Sequence, residues 1–184
     1  EGIEAYTANE LAQSFTTAHS IDPVAKLGYN DFALLENLTK FDGAIQLIKD
    51  IRTEGGHVDF LGIQAHLDLD DLPTYADMLY CFQEWRANGI EPVITELDIR
   101  THVYVNDLGN SMADAKALQG TFAEDLMRAV RDGGCKEVNV WGVSNNDTWI
   151  WPRDTTTSTT EQPLPFDTDW TPNAFGKALY RGSR

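Results

Sequence analysis

Glu96 and Asp98 stand two residues apart in Pro92-Val-Ile-Thr-Glu-Leu-Asp-Ile-Arg100, a run that is otherwise apolar and β-branched. Such a run, opened by Gly89 and Pro92, has the pattern of a buried strand. Period-two alternation then puts Ile94, Glu96 and Asp98 on one face and Val93, Thr95, Leu97 and Ile99 on the other. Stripping a carboxylate of water costs several kcal/mol, so two of them in a core strand need a reason. A bland reason is an ion pair with a neighbour such as Arg100; a chemical one is a carboxylate that attacks an electron-poor carbon or stabilises its charge.

Other residues with chemical potential fall late in other apolar runs. Gly62-Ile63-Gln64-Ala65-His66-Leu67 alternates to place Gly62, Gln64 and His66 on one face. Gly28, Asn30 and Phe32 share a face in an earlier run, and Asn139, Trp141 and Val143 share one in a later run, with Trp149 beyond it. Indole faces stack on sugar rings, while Asn, Gln and His side chains bond hydroxyls. Any one of these residues alone fits a core; together they suit carbohydrate chemistry.

The elements that would position them are four strands near 24–32, 59–67, 92–100 and 137–143. Helical spacing is found at 1–20, 40–53, 73–86, 112–131 and 172–180, with Thr7 or Asn9 capping the first helix. Strand and helix units that recur at roughly 30 to 45 residues predict an α/β fold with a parallel sheet, whose strands are expected to be covered on both faces. Two architectures fit: an open doubly wound sheet, or part of an eight-unit βα barrel. In either, the carboxyl ends of the strands carry the chemistry. A polar loop runs to Gly109, and a loop rich in Thr, Ser and Pro covers 145–169, with a rim segment or glycosylated linker at Thr155–Thr160.

The 184 residues suffice for one sizeable core, and no run approaches the apolar length of a membrane span. No targeting segment follows Glu1, so a chain free in solution is expected. A net charge of −15 repels phosphates and anionic lipid, which disfavours nucleic acid and membrane as partners. Cys81 and Cys135 lack metal-site spacing and are expected as buried thiols or one disulfide; the four histidines lack the i, i+4 pair of a helical zinc site. No metal or cofactor is expected. A sugar-phosphate or nucleotide enzyme is disfavoured because no glycine-rich phosphate loop follows any strand.

Three of the motifs, Gly62 to Leu67, Ile94 to Ile99, and Trp141 to Ser144 followed by Trp149, resemble successive signatures of glycoside hydrolase family ten, the retaining endo-1,4-β-xylanases. Asp22 to Leu27 with Tyr29-Asn30-Asp31 is similar to that family's fifth-strand entry, and Pro163 to Asp167 with 172–180 to its closing segment. The resemblance runs along essentially the whole chain. It implies a (β/α)8 barrel of which residues 1–184 supply the second half, strands five to eight.

It further implies that Glu96 is the nucleophile, that His66 bonds and orients it, and that Asn30, Phe32, Gln64, Trp141 and Trp149 line the substrate cleft. Phe32 replaces a usual Tyr and so lacks a hydroxyl on the aglycone side; Asn145-Asn146 replace a more usual charged residue. Retaining hydrolysis also needs an acid/base carboxyl about 5 to 5.5 Å from the nucleophile. In the family that Glu lies upstream of anything present here. Asp98, on the face of Glu96, is a poor donor to the opposite side of the bond, and Asp31 and Asp68 could serve only if the loops fold back, so the acid is expected on a complementary N-terminal half. The implied protein is a secreted hydrolase of xylan or xylooligosaccharides; a non-catalytic xylan-binding half-barrel is the rival reading.

Overall fold

The computed structural model describes residues 6–150 and 161–184. The segment Thr155–Thr160 lies outside the described residues.

Each α-helix among the described residues begins where a short polar side chain can satisfy its free amides. For α1 (Ala8–Ile21), Thr7 accepts from the Glu10 amide while the Glu10 carboxylate accepts from the Thr7 amide. Thr74 and Asp77 repeat this box at α3 (Tyr75–Ala87). Asn37 caps α2 (Leu38–Thr53), Ser111 caps α4 (Met112–Gly133) and Asn173 caps α5 (Ala174–Gly182). The helices expected from Pro73 and Pro172 therefore start just beyond those prolines, at the first residue after a capping side chain. Gly134, at φ 72°, closes α4 in the left-handed conformation that glycine adopts without strain. The polar loop before α4 holds a π-helical turn, Val103–Asp107, which hydropathy gave no sign of.

Among the described residues, five strands form one parallel sheet: β1 (Gly28–Phe32), β2 (Phe60–Gln64), β3 (His66–Asp68), β4 (Glu91–Arg100) and β5 (Val138–Val140). β1 starts later than expected, because the Asp22 carboxylate accepts from the amides of Val24 and Ala25 and holds a turn there. β5 is shorter than expected, ending before Gly142 at φ 141°. β2 and β3 are successive pieces of one strand, both paired to β4, so the sheet follows chain order. A doubly wound sheet reverses its strand order at a switch point and carries helices on both faces. Here the order never reverses, as in the wall of a barrel.

The core lies on one side of that wall. Leu61, Ile63, Ala65, Leu67, Ile94, Leu97 and Ile99 are buried in one cluster with Phe41, Ile48, Met78, Phe82, Trp85 and Leu126 from the helices. The expectation of strands covered on both faces is therefore corrected: the other face leaves Asn30, Phe32, Trp141 and Val143 exposed. Cys81 and Cys135 are buried free thiols, and burial pushes the Cys81 thiol up to about 12.

The alternation expected for β4 also breaks. Ile63 pairs with Ile94 and His66 with Asp98, so residues 64–65 face 95–97; on the other edge Ile94 pairs with Val138 and Leu97 with Val140. Both neighbours require one extra residue in β4 between Ile94 and Leu97, a bulge of the kind that re-aims side chains beside functional sites. Ile94 consequently joins Leu97 and Ile99 in the core, while the side chains of Thr95 and Glu96 both meet Asn30 on the open face.

Candidate active site

Glu96 sits at the centre of a chain of hydrogen bonds at the carboxyl ends of the strands. Its Oε1 accepts from Asn30 Nδ2 at 2.7 Å, and its Oε2 lies 3.2 Å from His66 Nε2. His66 Nδ1 lies 3.1 Å from Asp98 Oδ2, which also accepts from Trp149 Nε1 at 2.6 Å. The two oxygens of Glu96 are thus held by residues of two different strands, Asn30 of β1 and His66 of β3. The side chain remains 14% exposed, whereas that of Asp98 is fully buried. That difference separates a carboxylate open to a ligand from one that serves its neighbours.

His66 faces carboxylate oxygens through both ring nitrogens, and both can donate only when the ring is an imidazolium. Burial of the ring opposes the charge, but the hydrogen bond and charge of Asp98, followed by those of Glu96, outweigh it and raise the His66 pKa above its ordinary 6.5. Stability contributed by a raised histidine is complete below the unfolded value and is lost as pH rises through the folded one. The melting temperature of the chain minus that of a His66→Gln variant is therefore expected to be largest just below pH 6.5 and to shrink on the alkaline side. A difference that grew with pH would show that the ring is held neutral.

Two indoles stand over this network. The His66 ring centroid is 5.1 Å from that of Trp149 and 6.2 Å from that of Trp141. Trp141 and Trp149 are 46% and 51% exposed, a burial that leaves much of each ring free to stack on a flat ligand. Phe32 lies opposite Gln64 in the β1–β2 ladder and is exposed at the rim, with the Lys40 ammonium 3.4 Å from its ring centroid. The structure thus brings Asn30, His66, Glu96, Trp141 and Trp149 together, with Gln64 and Phe32 on the same face toward β1.

The ion pair expected with a neighbour of Glu96 is found with His66 and not with Arg100. Arg100 lies against Asp68 and Glu161, at 3.5 Å and 3.9 Å, rather than against Glu96. Nor do the three carboxyls considered as acid substitutes stand free. Asp31 is on the other face of β1 from Asn30, held by Lys40 and the Tyr29 hydroxyl. Asp98 is enclosed between His66 and Trp149, and Asp68 is half-buried beside Arg100. Among the links that sequence reasoning missed are Asn30 to Glu96, His66 to Asp98, Thr95, assigned to the wrong face, and the bond from Trp149 to Asp98, which spans a long loop and has no local signal.

The family model of glycosyl hydrolase family 10 matches residues 5–181. Among curated proteins, the chain is 31% identical to endo-1,4-beta-xylanase 1 of Humicola insolens over 149 residues, which are 80% of the chain and 34% of that enzyme. It is 30% identical to the beta-1,4-xylanase of Dictyoglomus thermophilum over 169 residues, 88% of the chain and 47% of that enzyme. Among solved structures, the family 10 xylanase of Thermobacillus composti superposes with a TM-score of 0.81 at 25% identity, covering 95% of the chain and 58% of that structure. Xylanase 10B of Thermotoga maritima, at 23% identity, shares the fold with a TM-score of 0.82 over 95% of the chain and 52% of that structure. The chain spans between a third and about half the length of these curated relatives.

Proposed function

Because the chain belongs to glycosyl hydrolase family 10, and its sheet is about half of that family's (β/α)8 barrel, we propose that it is the nucleophile-bearing half of a retaining endo-1,4-β-xylanase. One observation carries the proposal: a partly open carboxylate, Glu96, held by one donor on each oxygen beneath two half-exposed indoles. Asn30 and His66 fix the carboxylate so that a lone pair can point at the anomeric carbon of a bound xylose. Trp141 and Trp149 stack on the sugars that flank it, and Gln64 and Phe32 line the cleft beyond.

In the first step a Glu96 oxygen bonds to the anomeric carbon as the bond to the leaving sugar oxygen breaks, and that oxygen takes a proton from an acid carboxyl. In the second step the same carboxyl, now a base, removes a proton from water as the water oxygen displaces Glu96. The acid/base carboxyl comes from the complementary N-terminal half, since Asp31, Asp68 and Asp98 are each engaged elsewhere. A polymeric substrate such as xylan is met outside the cytoplasm, so the protein is assigned to the extracellular or periplasmic space.

Two displacements at one carbon retain its configuration. Proton NMR of xylohexaose cleavage by the barrel assembled from this chain and its native first half is expected to show the β-anomer forming first, with the α-anomer arising only by mutarotation. An α-anomer formed first would exclude Glu96 as a covalent nucleophile.

A further inference from the structure

We infer that Gly62 and Thr95 are positioning residues that lock the Asn30 amide onto Glu96. Asn30 lies on β1 and Glu96 on β4, and β2 runs between them with Gly62 directly opposite both Asn30 and Val93. To reach Glu96, the Asn30 side chain has to cross β2, and it does so over Gly62. A Cβ at Gly62 would stand 2.4 Å from Asn30 Oδ1 and 3.0 Å from Thr95 Cγ2. The backbone of Gly62, unlike that of Gly55 or Gly89, is not in the left-handed region, so its own torsion does not require glycine. What requires it is the slot that the missing side chain leaves for the amide.

Glu96 sets which way round the amide lies, and Thr95 holds its other end. The Thr95 hydroxyl donates to Asn30 Oδ1 at 2.7 Å, which leaves Nδ2 to donate to Glu96 Oε1 at 2.7 Å. Reversing the amide would set its oxygen against a carboxylate that has no proton to give, whereas the Thr95 hydroxyl, donor and acceptor alike, ties the far end of the amide in place. The β4 bulge is what puts Thr95 and Glu96 on the same face, so one amide can bridge the two. Slot, hydroxyl and bulge form one device that acts on Glu96 through Asn30.

The kinetic consequence rests on the reading of Glu96 as nucleophile; the geometry does not. The test therefore uses two readouts on Gly62→Ala, Thr95→Val, Thr95→Ser and Asn30→Ala. In the proton–nitrogen NMR spectrum of the chain, the Asn30 carboxamide protons are expected to be widely separated and slow to exchange in the parent and in Thr95→Ser. Gly62→Ala and Thr95→Val are expected to lose both properties.

In the assembled barrel, Gly62→Ala is expected to lower kcat on xylohexaose about ten- to a hundredfold, the worth of one charge-assisted hydrogen bond, with KM changed less than about threefold. Added to Asn30→Ala, the same substitution is expected to change kcat by less than about twofold, because the two act on one contact. An unchanged carboxamide signal in both Gly62→Ala and Thr95→Val, or Gly62→Ala and Asn30→Ala multiplying independently, would overturn the inference. Should Gly62→Ala not fold, Thr95→Val reads the same link without added bulk. An assembled parent barrel with no xylanase activity would remove the nucleophile reading alone, and the carboxamide signal would still decide the positioning role.

Discussion

A Glu96→Gln variant of the assembled barrel is expected to lose xylan hydrolysis by on the order of a thousandfold or more while still binding xylohexaose. The substitution keeps the shape of the side chain and removes its charge and nucleophilicity. The surrounding network can accept it. Glutamine oxygen takes the place of Oε1 as acceptor from Asn30 Nδ2, and its amide then donates to His66 Nε2, which becomes an acceptor in the neutral ring. His66 keeps its Nδ1 bond to Asp98, so the fold around Trp141 and Trp149 is undisturbed.

Binding, which the proposed reading places on those indoles, should therefore survive within a few-fold when measured by titration calorimetry. Turnover that persisted in the variant would eliminate Glu96 as the attacking group. A parent barrel that bound xylohexaose but released no product would favour the non-catalytic binding reading instead.

The parts of this site that the sequence disclosed are those governed by local periodicity. Gln64 and His66 lie on the open face because Leu61, Ile63, Ala65 and Leu67 alternate with them and go to the core without interruption. Asn30 and Phe32 follow the same rule on β1. On β4 the rule fails at one point. A bulge cannot be seen in a run of β-branched residues, since it is set by how the strand pairs with β2 and β3 on one edge and β5 on the other.

Periodicity therefore sends Thr95 to the core side and Ile94 to the open side, the reverse of what the pairing imposes. Glu96 and Asp98 came out on the correct face because the extra residue lies before Glu96. The tie between Trp149 and Asp98 joins residues 51 apart in sequence, and nothing in the intervening composition encodes it. The choice between an open sheet and a barrel wall was likewise closed to periodicity, because both use the same βα units; only the pairing order separates them.

The pairing order also bears on what the chain does by itself. On this chain alone, xylan hydrolysis is expected to be at least about a thousandfold slower than in the assembled barrel, because positioned acid catalysis by itself contributes about a hundred- to ten-thousandfold and the substrate cleft is walled on one side only. Among the described residues, the outer edges of β1 and β5 pair with no further strand, and Met127, Val130, Val138 and Leu179 line an open groove beside the β5 edge. Parallel edges with free amides and carbonyls call for a partner strand. On the proposed reading, the first and fourth strands of a complementary half would lie against these two edges of the (β/α)8 barrel and set the acid carboxyl across the cleft from Glu96.

Reducing-sugar release from xylan by this chain, by its native first half, and by the two together distinguishes the alternatives. The pair should be active where neither half is, and a Glu96→Gln chain should assemble with its partner without restoring activity. Strong hydrolysis by the lone chain would mean that it carries its own acid, and would overturn its dependence on a complementary half.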